Sequence, residues 1–143
     1  MSKLICTIVF ISLALFSFGQ ARPDKDKERI NSVCDKFMQN FHYGKITDAI
    51  QLLKQNSIMT HSDLDTLEAT ITNQITNILS MYGRILSYEF IKEKKIKDFI
   101  ARRFYILKLE KYYLKFDFTL YNNGSAWRIT YFRYNDDLIE LLN

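Results

Sequence analysis

The hydrophobic pattern of this chain changes its period at Gly83, and this change constrains the fold more than any other feature. Before Gly83, apolar residues recur at steps of three and four, the spacing that places side chains on one face of an α-helix. After Gly83, apolar and polar residues alternate, as they do in strands with one buried face. Helices followed by strands predict an α+β domain whose antiparallel sheet is covered on one face by helices.

Three helices are predicted before the change of period. The first covers residues 24–43 and the second about 47–55. The third begins with Ser62 as N-cap, with Asp65 completing a capping box, and ends at Tyr82. The apolar stripe of the first helix comprises Ile30, Val33, Cys34, Phe37, Met38 and Phe41. That of the third comprises Leu64, Leu67, Ile71, Ile75, Ile78 and Tyr82.

Four strands are predicted after Gly83. In the first, Leu86, Tyr88 and Phe90 share one face, and the strand continues toward Ile96. The second and third carry their apolar side chains on alternate positions, namely Tyr105, Leu107 and Leu109, and then Leu114, Phe116, Phe118 and Leu120.

The fourth strand follows a hairpin turn at residues 122–125, where Asn and Gly tolerate positive φ. Its apolar parity changes between Tyr131 and Phe132, which indicates a β-bulge. The last residues, 135–142, form an amphipathic tail that packs back on the domain or contacts a partner. The predicted fold is three N-terminal helices on a curved, four-stranded antiparallel sheet.

The N-terminus has the composition of a secretory signal peptide. Lys3 supplies positive charge, residues 4–18 are apolar, and the small residues Gly19 and Ala21 precede a charged stretch. The apolar run is shorter than a comfortable membrane span. We therefore predict a signal peptide over residues 1–21, a single domain over 22–143, export to the periplasm or the extracellular space, and no membrane span after processing.

Composition excludes several classes of function. Cys34 is the only cysteine after residue 21, so an internal disulfide is excluded, and its apolar neighbours predict a buried thiol. The mature chain carries 19 Lys and Arg (20 less Lys3) against 16 acidic residues, a net charge of +3 that does not require a nucleic acid, and we predict no nucleic-acid partner. Lysines of the first three strands are interpreted as protecting a sheet edge from pairing. No cofactor or metal is predicted, because His42 and His61 belong to no ligand motif.

Two stretches, FMQNFHYGKITDAIQLL over residues 37–53 and YNNGSAWRITYFRYNDD over residues 121–137, carry a resemblance of element pattern. The order of helices, long third helix and Trp-containing hairpin strand resembles the nuclear transport factor 2-like, or cystatin-like, superfamily. The resemblance implies a cone-like sheet with an interior pocket, in a superfamily whose members include isomerases, dehydratases, ligand binders and dimerising proteins. Neither stretch contains a catalytic signature, and fold alone does not assign chemistry.

The candidate site residues follow from this expected pocket. The ligand-pocket candidates are Tyr88, Tyr105, Phe116, Phe118, Trp127 and Tyr131. No catalytic residue is assigned. Asp117 is a candidate general base if the sheet aims it into a pocket, and alternation along the strand otherwise turns it outward with Lys115.

Three hypotheses about function remain open at this point. The first is an exported, non-catalytic module that binds a small apolar ligand or a protein partner, because aromatic residues are abundant and reactive groups are few. The second is a small lyase or isomerase that uses Asp117 and a tyrosine. The third is an interaction or inhibitor subunit that acts by homodimerisation or strand addition.

Overall fold

The computed structural model of the chain describes residues 24–143, so the predicted signal peptide and cleavage site lie outside the described residues. Three helices pack against an open, four-stranded antiparallel sheet, which confirms the α+β prediction. The helices are α1 (Lys25–His42), α2 (Ile46–Asn56), α3 (His61–Tyr82) and a short C-terminal α4 (Ile139–Leu142). The strands are β1 (Ile85–Ile96), β2 (Ile100–Leu109), β3 (Tyr113–Asn122) and β4 (Trp127–Asn135).

The strands form a meander in the order β1-β2-β3-β4, and two of its irregularities decide which side chains face the helices. In β4 the register shifts at Thr130, so Ile129 and Phe132 both pack on the core and Tyr131 turns to the opposite face. This confirms a bulge in β4 but places it at Thr130, so the predicted face shared by Trp127, Ile129 and Tyr131 is wrong for Tyr131. In β1 the register shifts at Leu86, which is exposed, so the predicted face shared by Leu86, Tyr88 and Phe90 is wrong.

Aromatic rings fill the space between α1 and the sheet. The ring centroid of Phe37 lies 5.3 Å from that of Phe118 and 4.8 Å from that of Phe132. Every apolar residue predicted for the stripe of α1 is buried. Burial raises the pKa of the Cys34 thiol to about 12, so this cysteine is a neutral core side chain, as predicted.

Helix α3 is capped two residues earlier than the sequence predicts. Thr60, in an extended conformation, is the N-cap, and its hydroxyl accepts a hydrogen bond from the Asp63 N–H at 3.1 Å. The prediction of Ser62 as N-cap is therefore wrong, because the helix already includes His61.

Within residues 24–143, no helix combines the length and apolar character needed to cross a bilayer.

Gly83 ends α3 at φ 84°, in a region that favours glycine. A Cβ at this position would lie 2.8 Å from Cβ of Glu110, which accepts hydrogen bonds from the backbone and side chain of Arg84. Gly83 is thus required both by its dihedral angle and by the close approach of the β2–β3 turn.

Candidate functional site

Three of the predicted pocket residues, Tyr105, Phe116 and Phe118, are fully buried on the helix-facing side of the sheet. The ring centroid of Phe118 lies 5.7 Å from that of Tyr105, and the centroid of Phe116 lies 4.8 Å from that of Phe41. Centroid distances of about 4.5–7 Å are those of aromatic rings in contact. These side chains therefore pack against other protein side chains in the core.

The other three pocket candidates are divided between the two faces. Trp127 is buried at the start of β4, where its indole N–H donates to Asp24 at 2.8 Å and its backbone N–H to Asp26 at 2.5 Å. Tyr88 packs half-buried against the core, whereas Tyr131 is exposed on the opposite face. The structure thus brings Tyr88, Trp127 and the three fully buried residues to one side of the sheet and separates Tyr131 from them.

A group of polar side chains joins α1 to β1 and β2 at the margin of this core. The Arg103 guanidinium donates to Glu93 at 3.0 Å and to the Tyr105 hydroxyl at 3.1 Å, and the Tyr105 hydroxyl donates to Asp35. Lys27 donates to Glu93 at 2.7 Å. Burial alone would raise the pKa of Glu93, but the hydrogen bonds from Lys27 and Arg103 outweigh it and hold that pKa below its usual value. The Tyr105 hydroxyl is therefore committed to a structural contact.

Asp117 lies on the opposite, outer face of the sheet, and its side chain is fully buried there. One carboxylate oxygen accepts a hydrogen bond from Arg102 Nε at 3.3 Å. The other accepts from a terminal nitrogen of Arg102 and from Arg133 Nε at 2.8 Å. Both oxygens are therefore held by guanidinium groups, and the general-base role of Asp117 stays a prediction.

Glu140 of α4 completes this arrangement from above the sheet. Its two oxygens accept hydrogen bonds from Arg102 at 3.0 Å and from Arg133 at 3.1 and 3.0 Å, and one lies 3.5 Å from Lys115 Nζ. Hydrogen bonds from Arg102, against the opposing effect of burial, lower the pKa of Glu140 to about 2, with Arg133 contributing further. We call Arg102, Lys115, Asp117, Arg133 and Glu140 the outer charge cluster; with three cations and two anions its net charge is +1.

The C-terminal segment, residues 136–143, covers this part of the outer face. Lys92 Nζ donates to the Leu141 carbonyl at 2.9 Å, and the Tyr113 hydroxyl donates to the Asp136 carbonyl at 3.2 Å. Of the two alternatives for the tail, the structure confirms that it packs back on the domain. The segment covers Lys115 and Asp117, which explains why these two residues are buried although they lie on the polar parity of β3.

Beside the C-terminal segment, the outer face retains an open groove of about 460 Å³. It is lined by Ile91, Ile106, Lys108, Tyr113, Leu138, Leu141 and Leu142. Leu142 is 81% exposed, although it lies among other apolar side chains. Lys108 supplies the only charge of the lining, and it pairs with Glu89 at 3.0 Å on the surface. We call this feature the outer groove.

The two edges of the sheet differ in their accessibility. The edge of β4 is engaged by α1 and by the residues after α2, because the Ile58 N–H donates to the Ile129 carbonyl at 3.0 Å and Arg29 donates to the Trp127 carbonyl at 3.3 Å. The edge of β1 has no neighbouring strand within residues 24–143, and it carries register shifts at Leu86 and Ile91. Bulges and lysines are features that oppose edge-to-edge pairing.

The sequence did not identify Arg102, Arg133 and Glu140 as members of a site. An acidic residue within the otherwise apolar run of residues 138–142 is the signal that could have indicated Glu140. Among residues 24–143, no group of three or more His, Cys, Asp or Glu side chains is arranged to hold a metal ion.

Comparison with known proteins adds no family to this description. No protein-family model matches the chain, and neither a curated protein nor a solved structure is significantly similar to it.

Proposed function

We propose that this protein is an exported, non-catalytic binding module that takes a small amphipathic ligand in the outer groove. The observation that carries the proposal is an apolar groove of about 460 Å³ that the protein's own C-terminal segment borders without filling. Small-molecule sites typically have volumes of about 300–1,000 Å³ and mostly apolar linings with a few polar groups. The outer groove has six apolar or aromatic side chains and one lysine.

The lining indicates the chemistry of the ligand. An apolar chain would cover Ile106, Leu141 and Leu142, and an anionic head group would meet Lys108. The surface pair that Lys108 makes with Glu89 is no obstacle, because exposed ion pairs contribute only about 0–1 kcal/mol. An amphipathic anion with a single hydrocarbon chain has this combination of features.

The packing of the core favours the outer face, and not an interior pocket, as the location of the ligand site. Tyr105, Phe116 and Phe118 were candidates for a ligand site between the helices and the sheet, and their rings contact other rings. The helices on one face of an open meander are consistent with membership of the nuclear transport factor 2-like superfamily, which we retain as a proposal about ancestry.

The binding experiment uses dodecanoate as the probe, with a fluorescent apolar dye displaced from the purified protein. We expect saturable displacement that Leu142→Asp weakens about tenfold or more, because a charge would stand in the apolar lining. Ile58→Asp is the matched control, since Ile58 is exposed at 66% beside the β4 edge, away from the groove lining. Saturable binding unaffected by Leu142→Asp, or equally affected by Ile58→Asp, would contradict the proposal.

A second measurement concerns the polar end of the ligand. Lys108→Gln is expected to weaken dodecanoate binding more than dodecanol binding, because only the carboxylate loses a charged partner. Equal weakening of both probes would show that Lys108 does not receive the head group. No saturable binding of either probe, with the circular dichroism spectrum unchanged, would leave a protein partner as the occupant of the groove.

Export is part of the proposal and has its own test. Expression of the full chain in a secreting host is expected to yield a product that begins at Arg22, as intact mass and N-terminal sequencing would show. A product that retains residues 1–21 and stays in the cytoplasmic fraction would contradict export without affecting the groove.

A further inference from the structure

The β1–β2 hairpin ends in an exposed apolar tip surrounded by lysines. Ile96 is 59% exposed, Phe99 41% and Tyr121, on the adjacent end of β3, 44%. Ile96, Ile100 and Tyr121 lie opposite one another on three successive strands, so they form one row on the outer face. We call residues 94–100 together with Tyr121 the hairpin tip.

The turn itself is held in a defined conformation. Lys97 has φ 48°, a backbone region that non-glycine residues rarely adopt, and the Asn122 N–H donates to the Phe99 carbonyl at 2.8 Å. The apolar side chains are therefore presented by an ordered turn that β3 supports.

The charge around the tip is positive. Lys94, Lys95 and Lys97 stand against the single acidic residue Asp98, a balance of 3 − 1 = +2. Lys95 pairs with Glu93 at 3.5 Å, and among the ion pairs within residues 24–143 none involves Lys94 or Lys97. Two lysine ammonium groups are thus left for an external anion.

We infer that the hairpin tip is a docking site for an anionic lipid surface. Peripheral proteins bind such surfaces by placing apolar side chains at the boundary of head groups and acyl chains while lysines meet the phosphates. Lysine stems can extend along apolar surface with their charges in the polar layer. A protein partner fits less well, because lysine is depleted at protein interfaces.

The experiment is co-sedimentation of the purified, processed protein with vesicles of phosphatidylglycerol and phosphatidylcholine, compared with pure phosphatidylcholine. We expect binding to the anionic vesicles that weakens with added salt. Lys94→Gln/Lys97→Gln should weaken binding about 25-fold, because each lysine near an anionic surface contributes roughly fivefold. Ile96→Ser/Phe99→Ser should weaken it about tenfold or more through loss of apolar burial.

Matched variants on other surfaces test whether binding depends on the hairpin tip or on net charge alone. Lys36→Gln/Lys45→Gln removes the same charge from exposed positions on α1 and before α2, and it should change binding much less than the tip variant. Equal weakening by both pairs would show attraction by net charge alone and overturn the site. So would the absence of binding to anionic vesicles at low salt, or unchanged binding after Ile96→Ser/Phe99→Ser.

The remaining candidate occupant of the hairpin tip is a second copy of the chain. Light scattering would distinguish such a dimer from a monomer. A dimer that becomes monomeric in Ile96→Ser/Phe99→Ser would assign the tip to self-association and overturn the lipid site. The hairpin tip is independent of the outer groove, because dodecanoate binding and the Leu142→Asp variant test a different set of residues.

Discussion

The two faces of the sheet are stabilised by different interactions. On the helix-facing side, Phe37, Phe118 and Phe132 make direct ring contacts in a core that consists mostly of apolar side chains. On the outer side, the fully buried residues include Lys115 and Asp117, and they are covered by a C-terminal segment of only eight residues. The first face depends on apolar packing, and the second depends on the pairing of charges.

Burial has a different free-energy cost on each side of the sheet. Apolar side chains gain free energy by leaving water, whereas a buried charge must be compensated by partners. Asp117 obtains its partners from neighbouring strands, and Glu140 closes the group from a separate segment. Substitutions on the two faces should therefore act by different mechanisms.

The largest expected effect is that of Phe37→Ala on the helix-facing side. Removing a buried ring from a packed core costs about 3–5 kcal/mol, through lost burial and the cavity that remains. Urea denaturation followed by circular dichroism would measure the free energy of unfolding. The outer-face control is Tyr131→Ala, which should change it by no more than about 0.5 kcal/mol, because Tyr131 is more than half exposed.

A similar effect of both variants would contradict the division between the faces. Unchanged stability in Phe37→Ala would show that α1 and the sheet do not form a packed core.

A smaller effect is expected for Asp117→Ala on the outer face. The substitution leaves Arg102 and Arg133 without their buried acceptor, and hydrogen bonds to charged groups contribute roughly 1.5–3 kcal/mol. Asp117→Asn keeps one acceptor oxygen and should recover part of the loss in the same urea experiment. Equal losses in both variants would show that side-chain volume, and not hydrogen bonding, is the function of this position.

The sequence predicts the apolar face of the sheet better than the face that depends on paired charges. Periodicity predicts the helix-facing residues, such as Phe37 and Phe118, because an apolar residue type itself indicates a buried position. It predicts a bulge in β4 but not the register of β4 against β3 beyond that bulge, on which the pairing of Asp117 with Arg133 depends. Next to the turn, Leu120 pairs with Ile129. If this register continued without a bulge, Asp117 would lie opposite Phe132. The bulge shifts the partner of Asp117 by one residue, to Arg133. The contact of Glu140 with Arg102 joins residues 38 apart, which no local pattern encodes.

A local effect of pH is expected at the C-terminal segment. The pKa of Glu140 is lowered from 4.5 to about 2 by Arg102 and Arg133, so the fold favours its carboxylate form. The resulting stabilisation is complete above pH 4.5 and is lost as the pH falls from there toward 2. Hydrogen exchange of residues 138–143, corrected for the intrinsic rate, should become faster at pH 3 than at pH 6, while exchange in β2 and β3 changes less.

The control for the pH effect is Glu140→Gln, in which exchange of the segment should be fast at both values and nearly independent of pH. A wild-type segment that is equally protected at pH 3 and pH 6 would show that other contacts, such as that of Lys92 with the Leu141 carbonyl, hold it in place.

The smallest expected effect is that of Lys115→Met, although Lys115 is a fully buried charge. Its ammonium lies 3.5 Å from Glu140, a distance at the outer limit of a hydrogen bond, so little attraction compensates its loss of hydration. Methionine retains most of the stem, and Glu140 keeps both arginines. We expect the free energy of unfolding in urea to change by less than about 1 kcal/mol, and an increase in stability is compatible with this expectation. The matched variant Arg133→Met should instead lose roughly 1.5–3 kcal/mol, because it removes a 2.8 Å bond to fully buried Asp117. A loss in Lys115→Met as large as that in Arg133→Met would mean that the outer charge cluster depends on all three cations alike, and that the excess positive charge is itself a structural requirement of this face.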